Sequence, residues 1–172
     1  MNSESKTEYW KIFNETEASD FIRAESHPYY MSLALKEAEK AYDEKEVPVG
    51  AVIIHEGSVI GKGHNQVETL RDPTAHAEML VLREAASKLE NYRLPSTTLY
   101  VTLEPCPMCA GAMVHARVSR LVFGAVDARS GAAGSICDIA RSEALNHRLE
   151  VSGGVRAAES AALLQEFFRI RR

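Results

Sequence analysis

Two periods of hydrophobic and polar positions run along this chain, and each period predicts a type of element. Apolar residues recur every three to four positions where a helix is expected, and they alternate or form short β-branched runs where a strand is expected. This pattern predicts helices over residues 29–45, 75–89, 107–116 and 157–170. It predicts short strands over residues 51–55, 59–63, 98–103, 121–124 and 149–151.

The order of these elements predicts the fold class. Glu56-Gly57 lies between the first two strands and is a hairpin turn signal. The later strands are joined by helices, and the strand–helix–strand run over residues 99–124 predicts a parallel crossover. Strands linked in this way form a sheet covered by helices on both faces. We therefore predict an α/β fold, a three-layer α/β/α sandwich with a central mixed sheet.

The first 26 residues differ from the rest of the chain in composition. They are polar and carry six acids and three bases, which accounts for −3 of the net charge of −4. We expect residues 1–26 to be a mobile N-terminal extension and residues 27–172 to form one catalytic domain. The domain is then about neutral, with 17 bases against 18 acids, so it needs only a local basic rim to bind a nucleic acid.

Composition limits the class of protein and its compartment. Hydrophobic residues make up 45% of the chain and charged residues 26%, which is ordinary for a globular protein. No apolar run approaches a membrane span, and the acidic N-terminus has no apolar segment of a signal peptide. Three cysteines, of which two are candidate metal ligands, do not suggest a disulfide scaffold. We expect a cytoplasmic protein without a membrane partner.

Candidate chemistry is concentrated in His76-Ala77-Glu78 and in the later pair Cys106 and Cys109. Thiolates and a neutral imidazole suit zinc better than magnesium or calcium. Three protein ligands are typical of catalytic zinc, because the fourth position is left for water, whereas structural zinc usually has four protein ligands. Glu78 is then a carboxylate beside the metal that can move protons. This combination is the general signature of zinc nucleobase deaminases.

Local signals place both halves of the site at helix starts. Proline is favoured at the first position of a helix, so Pro107 predicts Cys106 as an N-cap. In the other half, Pro73 predicts a helix start with Asp72 or Thr74 as its cap. His76 and Glu78 would then lie in the first helical turn.

Two other interpretations of these residues are open at this point. A redox Cys-x-x-Cys pair would not explain His76 and Glu78. A closed structural zinc site needs a fourth ligand, for which the remaining candidates are Cys137, His55, His64, His115 and His147. None of them lies at a zinc-finger spacing.

Several turn-rich segments outside the metal motif resemble a known family. They are Pro48-Val49-Gly50-Ala51, Gly63-His64-Asn65, residues 72–78, residues 99–112, Gly124-Ala125 with Asp127, residues 131–135, and Asn146-His147-Arg148. Over residues 29–172 the chain resembles the tRNA-specific adenosine deaminases of the cytidine-deaminase-like zinc superfamily. The metal motif marks only the superfamily, while the segments after Phe123 point to the tRNA branch. Val126 stands where the resemblance would place a basic residue.

The resemblance implies a homodimer with one Zn²⁺ per subunit that deaminates adenosine to inosine at the wobble position of tRNA, with the anticodon stem-loop as partner. It implies that zinc is bound by His76, Cys106 and Cys109, and that Glu78 shuttles protons. The substrate contacts it implies are Asn65, Pro48, Val49, Ala77, Asp127 and Phe168.

Simpler roles remain open for several of these substrate contacts. Asn65 and Asp127 could serve only turn geometry, and Pro48 and Val49 could only begin a strand. Of Phe167 and Phe168, one could belong to the core.

Two other functions are also open. A free-base or nucleoside deaminase for cytosine or guanine would use the same fold and the same ligands. A non-catalytic, zinc-folded RNA-binding subunit would have no use for Glu78.

Overall fold

Five strands form one mixed sheet in a computed structural model that describes residues 15–171, with side chains from residue 26 onward. The strands are β1 Gly50–His55, β2 Ser58–His64, β3 Thr97–Leu103, β4 Arg120–Ala125 and β5 Glu150–Ser152. Their order is β2-β1-β3-β4-β5. Strand β1 is antiparallel to β2 and β3, while β3, β4 and β5 are parallel. The predicted mixed sheet is confirmed, and each strand end lies within one residue of its predicted position.

Helices cover both faces of the sheet. They are α1 Glu15–Asp43, α2 Val67–Leu70, α3 Ala77–Lys88, α4 Pro107–His115 and α5 Ala157–Ile170. Helices α1 and α5 contact the sheet and each other on one face, while α3 and α4 pack together with strands and loops in the core cluster of the opposite face. The predicted three-layer sandwich is therefore confirmed. Within the described residues, no helix is both long and apolar enough to cross a membrane.

Alternation along the central strands divides the core into two halves. Val52 and Ile54 of β1 belong to the half beneath α1, whereas Ala51 and Ile53 belong to the half beneath α3. Successive side chains of a strand point to opposite faces, so one buried strand supplies both halves. This explains why β1 reads as a continuous apolar run.

Close approach of α1 to the sheet requires a glycine at the start of β1. A Cβ atom on Gly50 would lie 2.1 Å from the carbonyl oxygen of Ala34 and 2.3 Å from the amide nitrogen of Ala38. These are backbone atoms of α1, which cannot shift without moving the helix, so only glycine fits where α1 crosses β1. The hairpin between β1 and β2 is also as predicted, with positive φ values of 49° at Glu56 and 77° at Gly57.

Helix α1 begins well before the predicted residue 29. The polar composition of residues 1–26 led to the later predicted start, yet α1 runs through this segment and through Pro28, which lacks an amide donor. The start of the sheet-bound part is anchored by His27, whose Nδ1 lies 2.8 Å from the hydroxyl of Tyr100. Residues 15–26 of the predicted extension belong to α1, and residues 1–14 lie outside the described part of the chain. The short helix α2 was not predicted.

Candidate metal centre and substrate pocket

Two of the three candidate metal ligands, Cys106 and His76, are N-cap residues. Cys106 caps α4 and is followed by Pro107, as predicted, and His76 caps α3. Each has an extended backbone, and neither side chain makes a capping hydrogen bond. An N-cap side chain usually serves its own helix, so these two side chains are left to bind a ligand.

The predicted cap of α3, Asp72 or Thr74, was wrong. The Oδ1 atom of Asp72 accepts hydrogen bonds from the amide of Thr74 at 2.8 Å and from its hydroxyl at 2.7 Å. The Asp72 side chain therefore closes a turn before the helix, and the helix begins at Ala77 rather than at residue 75.

Three ligand atoms meet at distances that suit zinc. Nδ1 of His76 lies 3.7 Å from Sγ of Cys106 and 3.5 Å from Sγ of Cys109. Tetrahedral zinc with ordinary Zn–N and Zn–S bonds would separate such atoms by about 3.6 Å. Within the described residues, the cluster has these three members, with all ligand atoms within 4.8 Å of one another. Neither Cys137 nor any of the four histidines considered as a fourth ligand joins it, which favours a catalytic site.

Hydrogen bonding among the three groups prepares a thiolate. The hydrogen bond from Cys109, followed by that from His76, lowers the pKa of Cys106 to about 4 despite partial burial. The same hydrogen bond and burial raise the pKa of Cys109. The hydrogen bond to Cys106 also raises the pKa of His76. Cys106 is therefore a thiolate at neutral pH, the form that binds a metal, and zinc would displace the protons of the other two groups.

Glu78 lies beside this cluster without belonging to it. Its side chain is buried, and burial raises the pKa of its carboxyl to about 7. Both protonation states are therefore accessible near neutral pH, as a group that carries protons in both directions requires.

A cavity of about 320 Å³ joins these groups to the surface. His76, Cys106 and Glu78 line it, together with Val49 and Asn65. Its other walls include Glu46, Val47, Val67, Leu103, Asp127 and Ser130. The volume is within the usual range of small-molecule sites.

Three other residues predicted to contact the substrate, Pro48, Ala77 and Asp127, differ in whether they line the cavity. Pro48 and Ala77 are buried beside the cavity but do not line it, and Ala77 packs in the core beneath α3. Asp127 lines the cavity, yet its carboxylate also closes a turn by accepting hydrogen bonds from Ser130 and from the amide of Arg129. Burial would raise the pKa of Asp127, but these hydrogen bonds outweigh it and lower the pKa.

A second, larger depression of about 900 Å³ continues from the cavity and is here called the outer groove. It shares Val47, Leu103, Asp127, Ser130 and Arg171 with the cavity. Its remaining walls include Val126, Arg129, Leu164, Phe168 and Arg169. A substrate much longer than one base could therefore extend from one depression into the other.

The two adjacent phenylalanines of α5 have different environments. Phe168 is 49% exposed in the outer groove, whereas Phe167 is 2% exposed. Phe167 packs edge-on against Tyr42, and the guanidinium of Arg171 lies 4.2 Å from its ring centre. Phe167 is therefore the core residue of the pair, and Phe168 is the one available to a ligand.

Sequence reasoning assigned no role to Glu46 or Glu104, two buried carboxylates that organise the walls of the cavity. Glu104 accepts hydrogen bonds from the amides of Asp127, Ala133 and Ser135, each at 3.0 Å, and from the Ser135 hydroxyl. It thereby attaches the loop after β4 to the end of β3. In the sequence, the one sign that Glu104 has a role near the metal site is its position directly before Pro105 and Cys106.

Comparison with known proteins decides the family. Residues 24–125 match the cytidine and deoxycytidylate deaminase zinc-binding region. A tRNA-specific adenosine deaminase of Bacillus subtilis is 49% identical over 140 residues, which cover 81% of this chain and 87% of the relative. The corresponding protein of Haemophilus influenzae is 48% identical over 152 residues, 88% of each chain. The chain belongs to the tRNA-specific adenosine deaminase family.

Solved structures agree with this family assignment. A structure from a study of A-to-I editing by tRNA:A34 deaminases at the wobble position has a TM-score of 0.77 and 44% identity, covering 79% of this chain and 99% of that one. Guanine deaminase from Nitrosomonas europaea has a TM-score of 0.69 at 26% identity, covering 81% of this chain and 83% of that one. The solved structure from the A-to-I editing study confirms the predicted cytidine-deaminase-like fold, and the match to the zinc-binding region confirms zinc as the predicted cofactor.

Proposed function

We propose that this protein is a zinc-dependent hydrolase that converts adenosine to inosine at the wobble position of tRNA. One observation carries the chemistry: the buried Glu78 lies beside a three-ligand cluster in a cavity open to the outer groove. The substrate class is supported by relatives named tRNA-specific adenosine deaminase that match more than four fifths of the chain.

The metal ligands fit zinc in type, number and spacing. His76 contributes Nδ1, and Cys106 and Cys109 contribute Sγ. Zinc held there would supply Lewis acidity that lowers the pKa of a water molecule in the pocket. The protein contributes the orientation of the ligands, because both half-sites are fixed at the first residues of packed helices.

Glu78 performs the proton transfers of the reaction. Its carboxylate accepts a proton from the attacking water, whose oxygen forms a bond to C6 of adenine. Glu78 then donates that proton to the ring nitrogen next to C6. It next transfers the remaining proton of the new C6 hydroxyl to the amine, so that the C6–N bond breaks, ammonia leaves and the C6 carbonyl of inosine remains. A pKa of about 7 suits a group that must both accept and donate a proton in each turnover.

The cavity and the outer groove divide the recognition of the substrate. The cavity takes the target base, with Asn65 offering a hydrogen bond and Val49 an apolar contact. An unpaired anticodon loop allows the base to turn outward at low cost. Phe168 in the outer groove stacks a neighbouring base, and Asp127 and the exposed Arg129 lie near the RNA backbone.

Three further features belong to this proposal. We propose a homodimer that acts in the cytoplasm on the anticodon stem-loop. We also retain the division into an N-terminal extension, residues 1–26, and a deaminase domain, residues 27–172, with α1 running across this boundary. The match to the zinc-binding region from residue 24 onward supports that boundary.

Inosine formation on an anticodon stem-loop with a wobble adenosine, measured by mass spectrometry, tests the proposal. We expect conversion of that adenosine and no conversion of a loop carrying guanosine at the same position. A zinc-loaded protein that leaves the stem-loop unchanged but deaminates free guanine, cytosine or adenosine would instead establish the small-molecule alternative. The structural relation to guanine deaminase makes guanine the first free base to assay.

A further inference from the structure

Glu46 is a buried carboxylate in the wall of the cavity. Its side chain is 1% exposed, and it lies in the connection between α1 and β1. The amide of Glu46 is fixed by a hydrogen bond of 2.8 Å to the carbonyl oxygen of Ala41. A carboxylate is almost never buried to this degree unless it has hydrogen-bonding partners, so its partners indicate its role.

The two oxygens of Glu46 have separate partners. Oε1 accepts a hydrogen bond from the amide of Thr69 at 2.7 Å, and Oε2 accepts one from Nδ2 of Asn65 at 3.3 Å. A carboxylate can only accept, so the Asn65 side chain has to present its NH₂ group to Glu46. The Asn65 backbone is held as well, because its amide donates to the carbonyl oxygen of Val49 at 3.0 Å.

This arrangement determines which atom of Asn65 faces a ligand. Within the described residues, every fully buried side-chain nitrogen or oxygen has a hydrogen-bond partner. Oδ1 of Asn65 has none among those residues, so it is reached by solvent, and Asn65 lines the cavity. Oδ1 is therefore an acceptor that Asn65 offers to the cavity, while Nδ2 is directed to Glu46.

We infer that Glu46 is a positioning residue that fixes Asn65 as a hydrogen-bond acceptor toward the substrate. The inference rests on the proposed function and specifies the ligand group that Asn65 recognises: a donor, either the exocyclic amine of the purine or a ribose hydroxyl. A ligand group that faces Oδ1 with an acceptor should bind more weakly than one that faces it with a donor, because a polar group left unpaired on binding costs free energy.

Glu46→Gln reverses this polarity without changing the size of the side chain. The Gln oxygen stays with the amide of Thr69, so its NH₂ group faces Asn65. Asn65 then has to rotate its amide and present Nδ2, a donor, to the cavity. We expect kcat/KM on the stem-loop to fall by roughly tenfold to a hundredfold, the effect of one mispaired buried hydrogen bond. Glu39→Gln, the same change on the exposed face of α1, is the matched control.

A second substitution restores the polarity. Asn65→Asp alone places two carboxylates side by side and lowers activity. Combined with Glu46→Gln, it gives a pair in which Gln donates to Asp, while the remaining Asp oxygen is again an acceptor toward the cavity. We expect the double variant to recover most of the activity that each single variant loses. Zinc content and the midpoint of thermal unfolding are measured for all variants, so that misfolded protein is recognised.

A stem-loop with 2′-deoxyadenosine at the target position distinguishes the two donors. If the ribose hydroxyl is the partner of Oδ1, the wild-type protein loses activity on this substrate and Glu46→Gln causes little further loss. If the amine is the partner, Glu46→Gln lowers activity equally on both substrates.

Side-chain amide NMR tests the orientation independently of activity. The Asn65 NH₂ protons should exchange slowly with solvent in the wild-type protein and faster in Glu46→Gln. If the wild-type protein is inactive on RNA but shows this difference, the proposed function fails and the orientation stands. Equal exchange rates, full activity of Glu46→Gln, or a folded, zinc-loaded double variant without recovery would overturn the inference.

Discussion

Replacing Glu104 by glutamine should destabilise the protein through the loop that follows β4. The side chain is 2% exposed and accepts hydrogen bonds from three loop amides and one hydroxyl. Glutamine keeps one acceptor oxygen, which can serve the amides of Ala133 and Ser135. Its NH₂ group then faces the amide of Asp127, so two donors oppose each other.

The magnitude follows from that mismatch. A buried donor without a partner costs about 1–3 kcal/mol, and the loss of charge-assisted bonds to the other amides adds to it. We expect Glu104→Gln to lower the free energy of unfolding by about 2–4 kcal/mol. At about 2–4 °C per kcal/mol for a chain of this size, the midpoint of thermal unfolding should fall by roughly 4–16 °C.

The effect should depend on pH with a defined sign. Burial would raise the pKa of Glu104, but the hydrogen bonds from Ser135, Asp127 and Ala133 outweigh it and hold the pKa below its usual value. A lowered pKa in the folded state means that ionised Glu104 stabilises the protein above about pH 4.3, the ordinary value for glutamate. This stability is lost as the pH falls through the folded-state pKa, so the difference between wild type and Glu104→Gln should shrink in acid.

Calorimetry of the zinc-loaded proteins at pH 7 and at several acidic pH values provides the assay. Glu143→Gln is the matched control, because the Glu143 side chain is 89% exposed and its ion pair with Arg148 is a surface pair. We expect that control to shift the midpoint by no more than about 2 °C. An equal shift in Glu104→Gln and the control, or a difference that grows in acid, would refute the reasoning.

Three other predictions test the site and the fold. Glu78→Gln should lower deamination by about a hundredfold to ten-thousandfold while zinc content by elemental analysis stays at the wild-type level; loss of zinc would show that Glu78 supports the ligands instead. Gly50→Ala should lower the free energy of unfolding by about 1–3 kcal/mol or more, because its Cβ would lie 2.1 Å from a backbone oxygen of α1. Gly111→Ala adds a Cβ inside α4 that meets no atom within 4 Å beyond the backbone of its own helix, so calorimetry should show a rise of about 0.5–1 kcal/mol in that free energy from helix propensity. Phe168→Ala should raise KM for the stem-loop by roughly tenfold to a hundredfold through lost stacking, with little change in thermal stability. Phe167→Ala should instead unfold at a clearly lower temperature. If Phe168→Ala lowers the unfolding temperature and leaves KM unchanged, Phe168 does not bind RNA.

The metal site could be predicted from sequence because its determinants are local. Cys106 is followed by the proline that begins α4, and Cys109 lies one turn later. Strands β1, β3 and β4 were equally accessible, since each is a mainly apolar or β-branched run bounded by turn residues. Neither conclusion requires knowledge of which distant segments meet.

Features that depend on distant contacts were missed or wrong. The role of Glu46 depends on the arrival of Asn65 and Thr69 from the far side of the β1–β2 hairpin. The predicted cap of α3 was wrong because the Asp72 carboxylate can either cap a helix or close a turn, and both follow the same sequence pattern. In the structure it closes the turn with Thr74. The early start of α1 depends on contacts such as that of His27 with the sheet, which the polar pattern of the segment conceals.

The metal ligands lie at the first residues of α3 and α4, so the residues for the chemistry are separate from most residues that select the substrate. The three candidate zinc ligands and Glu78 lie within residues 76–78 and 106–109, which are attached to the core through α3 and α4. The walls that decide what enters come mostly from connecting segments and from α5, which contribute little to holding the ligands. Evolution can therefore vary the substrate by altering loops while the reaction stays intact. This modularity accounts for the presence of RNA-directed and free-base deaminases on one scaffold.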